Sequence, residues 1–238
     1  MKTDLIIFDK DGTLIDFDAF WVSVSEKAIE YVLREVGRED IPVTEVLSAI
    51  GVENGVTDID GKLCCGTYME IAELIYGAIA AHGCDAPRDK VIGLAIDGYN
   101  ICVDAGKVIP TSDDMADYLK ELKNSGIKLA LVTTDNSYIT EICLKTLGVY
   151  ELFDRICADD GKHPTKPDPY YAEKLILEFG VKKENMIMVG DTMTDVRFAK
   201  NAGIMAVCIA RNDKLTSRLA PYADKVIAKI PDLAEIIK

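Results

Sequence analysis

The sequence predicts an α/β fold, a doubly wound parallel sheet, with an α-helical domain inserted after the first strand. Three observations predict it. Short, continuous apolar runs such as LIIF at 5–8 and MIMV at 186–189 read as strands buried on both faces, the habit of parallel sheets covered by helices. From residue 108 onward such runs alternate with stretches of helical periodicity, the order that βαβ units require. Between about 20 and 107 the chain shows no clear β pattern and reads as a run of helices. The predicted domains are therefore an α/β core of 1–17 with 108–238 and a helical insert of 18–107.

In chain order, the strand at 5–8 opens into DKDG, a turn rich in Asp and Gly. SVSEKAIEYVLREV at 23–36 has helical spacing and stops at Gly37, and 44–50 is a shorter candidate. GVENGVTDIDGKLCCG at 51–66 reads as a loop. TYME opens a helix over 67–82 with a capping box of Thr67 and Glu70, and Pro87 suits the first turn of a helix running to about 104. The core then alternates: helix 113–125, strand 127–133, helix 137–147, strand 155–158, helix 169–179, strand 186–190, helix 194–202, strand 204–210, helix 214–219, strand 224–228 and a terminal helix 231–238.

Composition narrows the function. A net charge of −13 over 238 residues, with no Lys or Arg block, argues against nucleic acid or an anionic membrane as partner. No apolar run approaches the ~20 residues of a membrane span, and the short run in MKTDLIIFDKDG has charges on both sides, unlike a signal peptide. A cytoplasmic location is expected. The seven scattered cysteines suit reduced, structural thiols; Cys64, Cys65, His82 and Cys84 lack the CxxC spacing of a zinc site.

The residues that carry chemistry lie just past apolar strands. Asp9, Asp11 and Gly12 follow the first, Thr133 and Thr134 end LALVTT, and Asp191 follows MIMVG with Asp195 four residues on. Lys166 stands in the loop DDGKHPTKPDP at a helix entry. A parallel sheet brings such strand ends together at one edge, where α/β proteins bind ligands. Carboxylates gathered there repel and raise one another's pKa unless a cation joins them, and oxygen ligands with one main-chain carbonyl suit Mg²⁺.

DxDGT, a strand-end Thr, the Lys of KPxP and GDxxxD, in this order across nearly the whole chain, resemble the motifs of the haloacid dehalogenase superfamily of phosphatases, among them the phosphoglycolate phosphatases. The resemblance implies a Rossmann-like core with a helical cap between the first two motifs, and a small phosphorylated metabolite as partner. Asp9 would be the nucleophile, forming an aspartyl-phosphate, and Asp11 the acid that becomes the base of the second step. Gly12 would let backbone amides approach the phosphoryl oxygens, Thr133 would donate its hydroxyl to one of them, and Thr134 would bind substrate through its backbone position. Lys166 would balance charge. Mg²⁺ would be held by the Asp9 and Asp191 side chains with the Asp11 carbonyl, and Asp195 would fix these ligands or act through water.

Asp11 separates this chain from relatives lacking an acid there and from transport ATPases, which have DKTGT where this chain has DKDGT. It argues for an oxygen leaving group, and equally for a phosphomutase; an inorganic pyrophosphatase and a non-catalytic phosphate-binding module are the other readings. Phe17 departs from the small hydroxyl residue usual after the equivalent of Asp16, so the ester itself stays open. Specificity is expected from loop 51–66 and the FDAFW segment at 17–21. Phe20 and Trp21 are expected to pack within the cap and His163 to be a loop residue, while Lys10, pointing away from Asp9 by strand alternation, is expected to be structural. A monomer or homodimer is the default.

Overall fold

The computed structural model describes residues 2–237, and the chain divides into two compact units, Met1–Asp16 with Val108–Lys238, and Phe17–Lys107. Strand β1 (Leu5–Phe8) opens the first unit. The second unit carries α1 (Ser23–Glu35), α2 (Val43–Ala49), strands β2 (Val52–Glu53) and β3 (Val56–Thr57), the one-turn α3 (Lys62–Cys65), α4 (Tyr68–Ala81) and α5 (Arg88–Ile101). The first unit resumes with α6 (Met115–Asn124), β4 (Lys128–Asn136), α7 (Ser137–Thr146), β5 (Arg155–Asp159), α8 (Tyr170–Phe179), β6 (Met186–Gly190), α9 (Met193–Ala202), β7 (Met205–Ile209), α10 (Asp213–Leu219) and β8 (Lys225–Ile227).

Six strands form one sheet in the order β5-β4-β1-β6-β7-β8, every pairing parallel. Counted along the chain this is the doubly wound order 3-2-1-4-5-6, whose direction of winding reverses between β1 and β6. The central strands β1 and β6 are apolar or glycine throughout because both faces are covered. Leu5, Ile7, Val132, Met186 and Met188 pack with Ala172 and Leu175 of α8 and Phe198 and Ala199 of α9. Ile6, Phe8, Leu131, Ile187 and Val189 pack on the other face with Leu119 and Leu122 of α6, Leu144 of α7 and Leu233.

In the second unit α1 buries Val24, Ala28, Ile29 and Val32, and a Cβ on Gly98 of α5 would stand 3.3 Å from Ala28, so the missing side chain lets the two helices approach. The Ser25 and Tyr99 hydroxyls lie 3.0 Å apart, and Trp21, Tyr68 and Tyr99 form an edge-packed aromatic group. The Thr67–Glu70 capping box opens α4 as expected, with the Glu70 amide donating to Thr67 Oγ1 at 3.2 Å and the Thr67 amide to Glu70 Oε2 at 2.8 Å. Thr67→Ala should lower unfolding free energy by about 1 kcal/mol, read from urea denaturation; an unchanged midpoint would show that tertiary packing alone holds this end of the helix.

Three sequence expectations need correction. Loop 51–66 contains the β2–β3 hairpin and α3, with Asp18 Oδ1 accepting from the Thr57 amide and hydroxyl at 3.1 and 2.6 Å. A two-residue strand pairing through a polar turn is too short to show a period in sequence. Strand β4 runs beyond 133 to Asn136 because Asn136 pairs with Asp159 across a register shift. The terminal segment forms a 3₁₀ helix, Ile230–Glu235, with Ile230 and Leu233 buried, and residue 238 lies outside the described residues. Among the described residues no helix is long and apolar enough to cross a membrane, and all seven cysteines are free thiols.

Candidate active site

The backbone past β1 turns tightly. The Asp9 amide extends the ladder by donating to Val189 O at 2.9 Å, and the Leu14 amide then reaches back to Lys10 O at 2.8 Å. Gly12 takes φ +78, and a Cβ placed there would fall 2.0 Å from Asp191 Oδ2. Only glycine meets both demands, a left-handed backbone and room for a carboxylate. Gly12→Ala should therefore displace Asp191 and lower turnover by about 10²-fold, measured as phosphate release; activity within a few-fold of the parent would show that the turn tolerates the shift.

Asp9 and Asp191 stand just past β1 and β6, the strands flanking the switch point, and with Asp195 they place one carboxylate oxygen each within 4.8 Å of one another. Lys166, buried at the entry to α8, donates to Asp9 Oδ1 at 2.5 Å and to Asp195 Oδ1 at 2.6 Å. The other oxygen of Asp195, Oδ2, accepts from the Thr192 amide at 3.0 Å and hydroxyl at 2.6 Å, the capping box that starts α9. Gly190 ends β6 because a Cβ there would lie 2.3 Å from Asp195 Cγ. Thr13 Oγ1 donates to Asp191 Oδ1 at 3.3 Å.

Burial raises the Asp9 carboxyl, the Lys166 ammonium pulls it back, and Asp195 and Asp11 raise it again. Asp191 is pushed well above the carboxylate range by burial and then by Asp9 and Asp195. Burial alone would lower Lys166, but the two carboxylates outweigh it and hold the ammonium above its ordinary value. One lysine against three carboxylates leaves a deficit of two positive charges. Hard oxygen donors, the charge deficit and the space kept by Gly12 fit a divalent cation of the Mg²⁺ type.

Thr133 is buried with its Oγ1 accepting from the Asp135 amide at 3.1 Å, whereas the Thr134 side chain is exposed on the irregular end of β4. Asp11 is not part of the three-carboxylate group: its Oδ1 accepts from Lys10 Nζ at 2.9 Å. Lys10 does point away from Asp9, as alternation demands, yet it is fully buried and also pairs with Asp135 Oδ2 at 2.9 Å. Sequence reasoning missed Asp135, and a signal existed, because a lysine on a helix-covered sheet face needs an anion nearby. Arg211, past β7, was missed as well; it donates to Gly12 O at 2.8 Å and pairs with Asp16 at 3.1 Å, bracing the turn. His163 stays in its loop, held by Asp160 at 2.8 Å and stacked on Tyr170.

A doubly wound protein with carboxylates and a lysine gathered at its switch point belongs to the α/β enzymes that bind ligands beyond their strand ends. Comparison with known proteins makes the class definite. The haloacid dehalogenase-like hydrolase family profile matches residues 3–203, so the chain belongs to that family. It is 34% identical to pyrophosphatase PpaX of Halalkalibacterium halodurans over 100% of this chain and 98% of that one. It is 28% identical to the phosphoglycolate phosphatase of Pseudomonas putida over 85% of this chain and 68% of that protein. A crystal structure of a predicted phosphoglycolate phosphatase from Haemophilus somnus shares the fold, with a TM-score of 0.74 at 19% identity over 99% of this chain and 98% of that one. The protein is an enzyme, a phosphatase of its family.

Proposed function

We propose that this phosphatase hydrolyses a small phosphomonoester, of phosphoglycolate type, with Mg²⁺ and through an aspartyl-phosphate on Asp9. One observation carries the reading: Asp9 stands at the switch point with its carboxylate bonded to Lys166 and beside Asp191 and Asp195. In the first step an Asp9 oxygen attacks phosphorus, the ester P–O bond breaks, and Asp11 gives the departing oxygen a proton. In the second a water attacks the phosphoryl group, its proton passes to Asp11, and phosphate leaves with Asp9 restored. Lys166 steadies charge on the nucleophile and the transferred group, Thr133 donates to a phosphoryl oxygen, and Gly12 and Thr134 present backbone amides. Mg²⁺ would be held by Asp9, Asp191 and the Asp11 carbonyl, and when bound it neutralises charge shared by nucleophile and phosphate. Asp195 keeps Lys166 in place. Residues 18–107 are the cap that selects the ester, and the enzyme works in the cytoplasm as a monomer or homodimer.

Pyrophosphate is the second reading, favoured by the full-length likeness to a pyrophosphatase. Both are tested by phosphate release from a panel of phosphate esters and pyrophosphate, with Mg²⁺ and with chelator. One preferred ester whose turnover chelator abolishes is expected; preference for pyrophosphate would replace the ester, and no release from any compound would sink both readings.

A further inference from the structure

The proposed chemistry gives no role to the buried pair Lys10 and Asp135. Lys10 lies between the nucleophile and the acid-base residue, yet it faces α7, where Cys143 Sγ lies 4.0 Å from its Nζ. Its side chain is wholly buried and pairs with the carboxylates of Asp135, at Oδ2, and Asp11, at Oδ1, each at 2.9 Å. Phe8 and Ile6 occupy this face two and four positions earlier, and an apolar residue in their succession would pack there with no desolvation cost. Asp135 alone would compensate the buried ammonium.

The contact to Asp11 goes beyond that compensation. Asp135 is itself fixed twice, its Oδ1 accepting from the Asn136 amide at 2.8 Å and its own amide donating to Thr133 Oγ1 at 3.1 Å. An anchor thus runs from the end of β4 through Asp135 and Lys10 to one oxygen of Asp11. We propose that Lys10, clamped by Asp135, is a positioning residue that fixes the Asp11 carboxyl through Oδ1 and so sets the direction in which Oδ2 meets the leaving oxygen. The inference rests on the proposed role of Asp11. It ties a residue of β4 and the middle position of DKDGT to proton transfer, with no contact between Lys10 and substrate.

In the first step a misdirected acid slows only esters whose leaving oxygen needs a proton, whereas the second step, with Asp11 as base, is common to every ester. Lys10→Met is compared with the parent on the alkyl phosphate hydrolysed fastest in the panel and on p-nitrophenyl phosphate, whose leaving group departs without a proton. The expected result is a kcat/KM, which reports only the steps up to departure of the leaving group, lower by about tenfold or more on the alkyl ester and within about threefold of the parent on the aryl ester. In an Asp11→Asn background Lys10→Met should add nothing further, because the two act through one group. Equal losses of kcat/KM on both substrates, additive losses with Asp11→Asn, or an unchanged kcat/KM on the alkyl ester would each overturn the proposal. Lys10→Met leaves Asp135 as a lone buried carboxylate, so Lys10→Met/Asp135→Asn, with no such charge, is read in the same way and decides the matter if the single variant does not unfold cooperatively. Turnover that survives in Asp9→Asn would instead defeat the reaction scheme itself, a failure separate from these.

Discussion

Asp9→Asn should lower turnover on the preferred substrate by on the order of 10⁴-fold or more, with the fold intact. The amide keeps the size and most of the hydrogen-bonding shape of the carboxylate but is a poor nucleophile toward phosphorus. Stability should not suffer, because the substitution removes one of three mutually repelling carboxylates and leaves Lys166 bonded to Asp195 at 2.6 Å. Phosphate release and thermal unfolding, measured together, check both halves. A variant keeping more than a few percent of the parent rate would mean that Asp9 is not the attacking group, and attention would pass to direct attack by water.

Lys166→Met should cost both activity and stability. The side chain is buried and supplies the ammonium bonded to Asp9 and Asp195, so its loss leaves a group of buried carboxylates facing one another. Removing one partner of a buried ion pair costs about 3–5 kcal/mol, and here the remaining charges also repel. A divalent cation would relieve part of that repulsion, so Mg²⁺ should raise the unfolding temperature of the variant more than that of the parent, and chelator should widen the gap between them. Equal Mg²⁺ effects on the two proteins would show that lysine and cation do not share a field.

Much of the fold was legible in the sequence for a local reason. Strands buried on both faces read as unbroken apolar runs, and helices between them stop at glycines such as Gly180 and Gly203, both with left-handed backbones. The same holds for the Thr67–Glu70 capping box, whose two members are three residues apart. Where the signal was short or shared between distant segments, it failed: the β2–β3 hairpin has two residues a side, and the far end of β4 is held by a shifted pairing to β5.

The candidate site divides in the same way. Its acids and lysine could be read from motif order, because each stands immediately beyond a strand or at a helix entry and needs only its own neighbours to be found. Asp195 is expected to fix the metal ligands or act through water, and its own contacts are to Lys166 and to the N-terminus of α9. Asp135, near the end of β4, and Arg211, past β7, went unread because neither belongs to a local pattern; the pointer to Asp135 was the lysine on the same covered face.

The sequence by itself determined the core strands and the longer helices, that the main sheet is parallel, and which residues stand at strand ends, since all of these follow from periodicity and turn chemistry over a few positions. The tertiary structure decided which partners those residues take. Lys166 meets Asp9 across 157 positions, and the Lys10 ammonium meets Asp135 rather than solvent. Such pairings depend on strand order, register and the closeness that Gly12 and Gly190 permit, quantities that exist only once the sheet is assembled and buried charges must find one another.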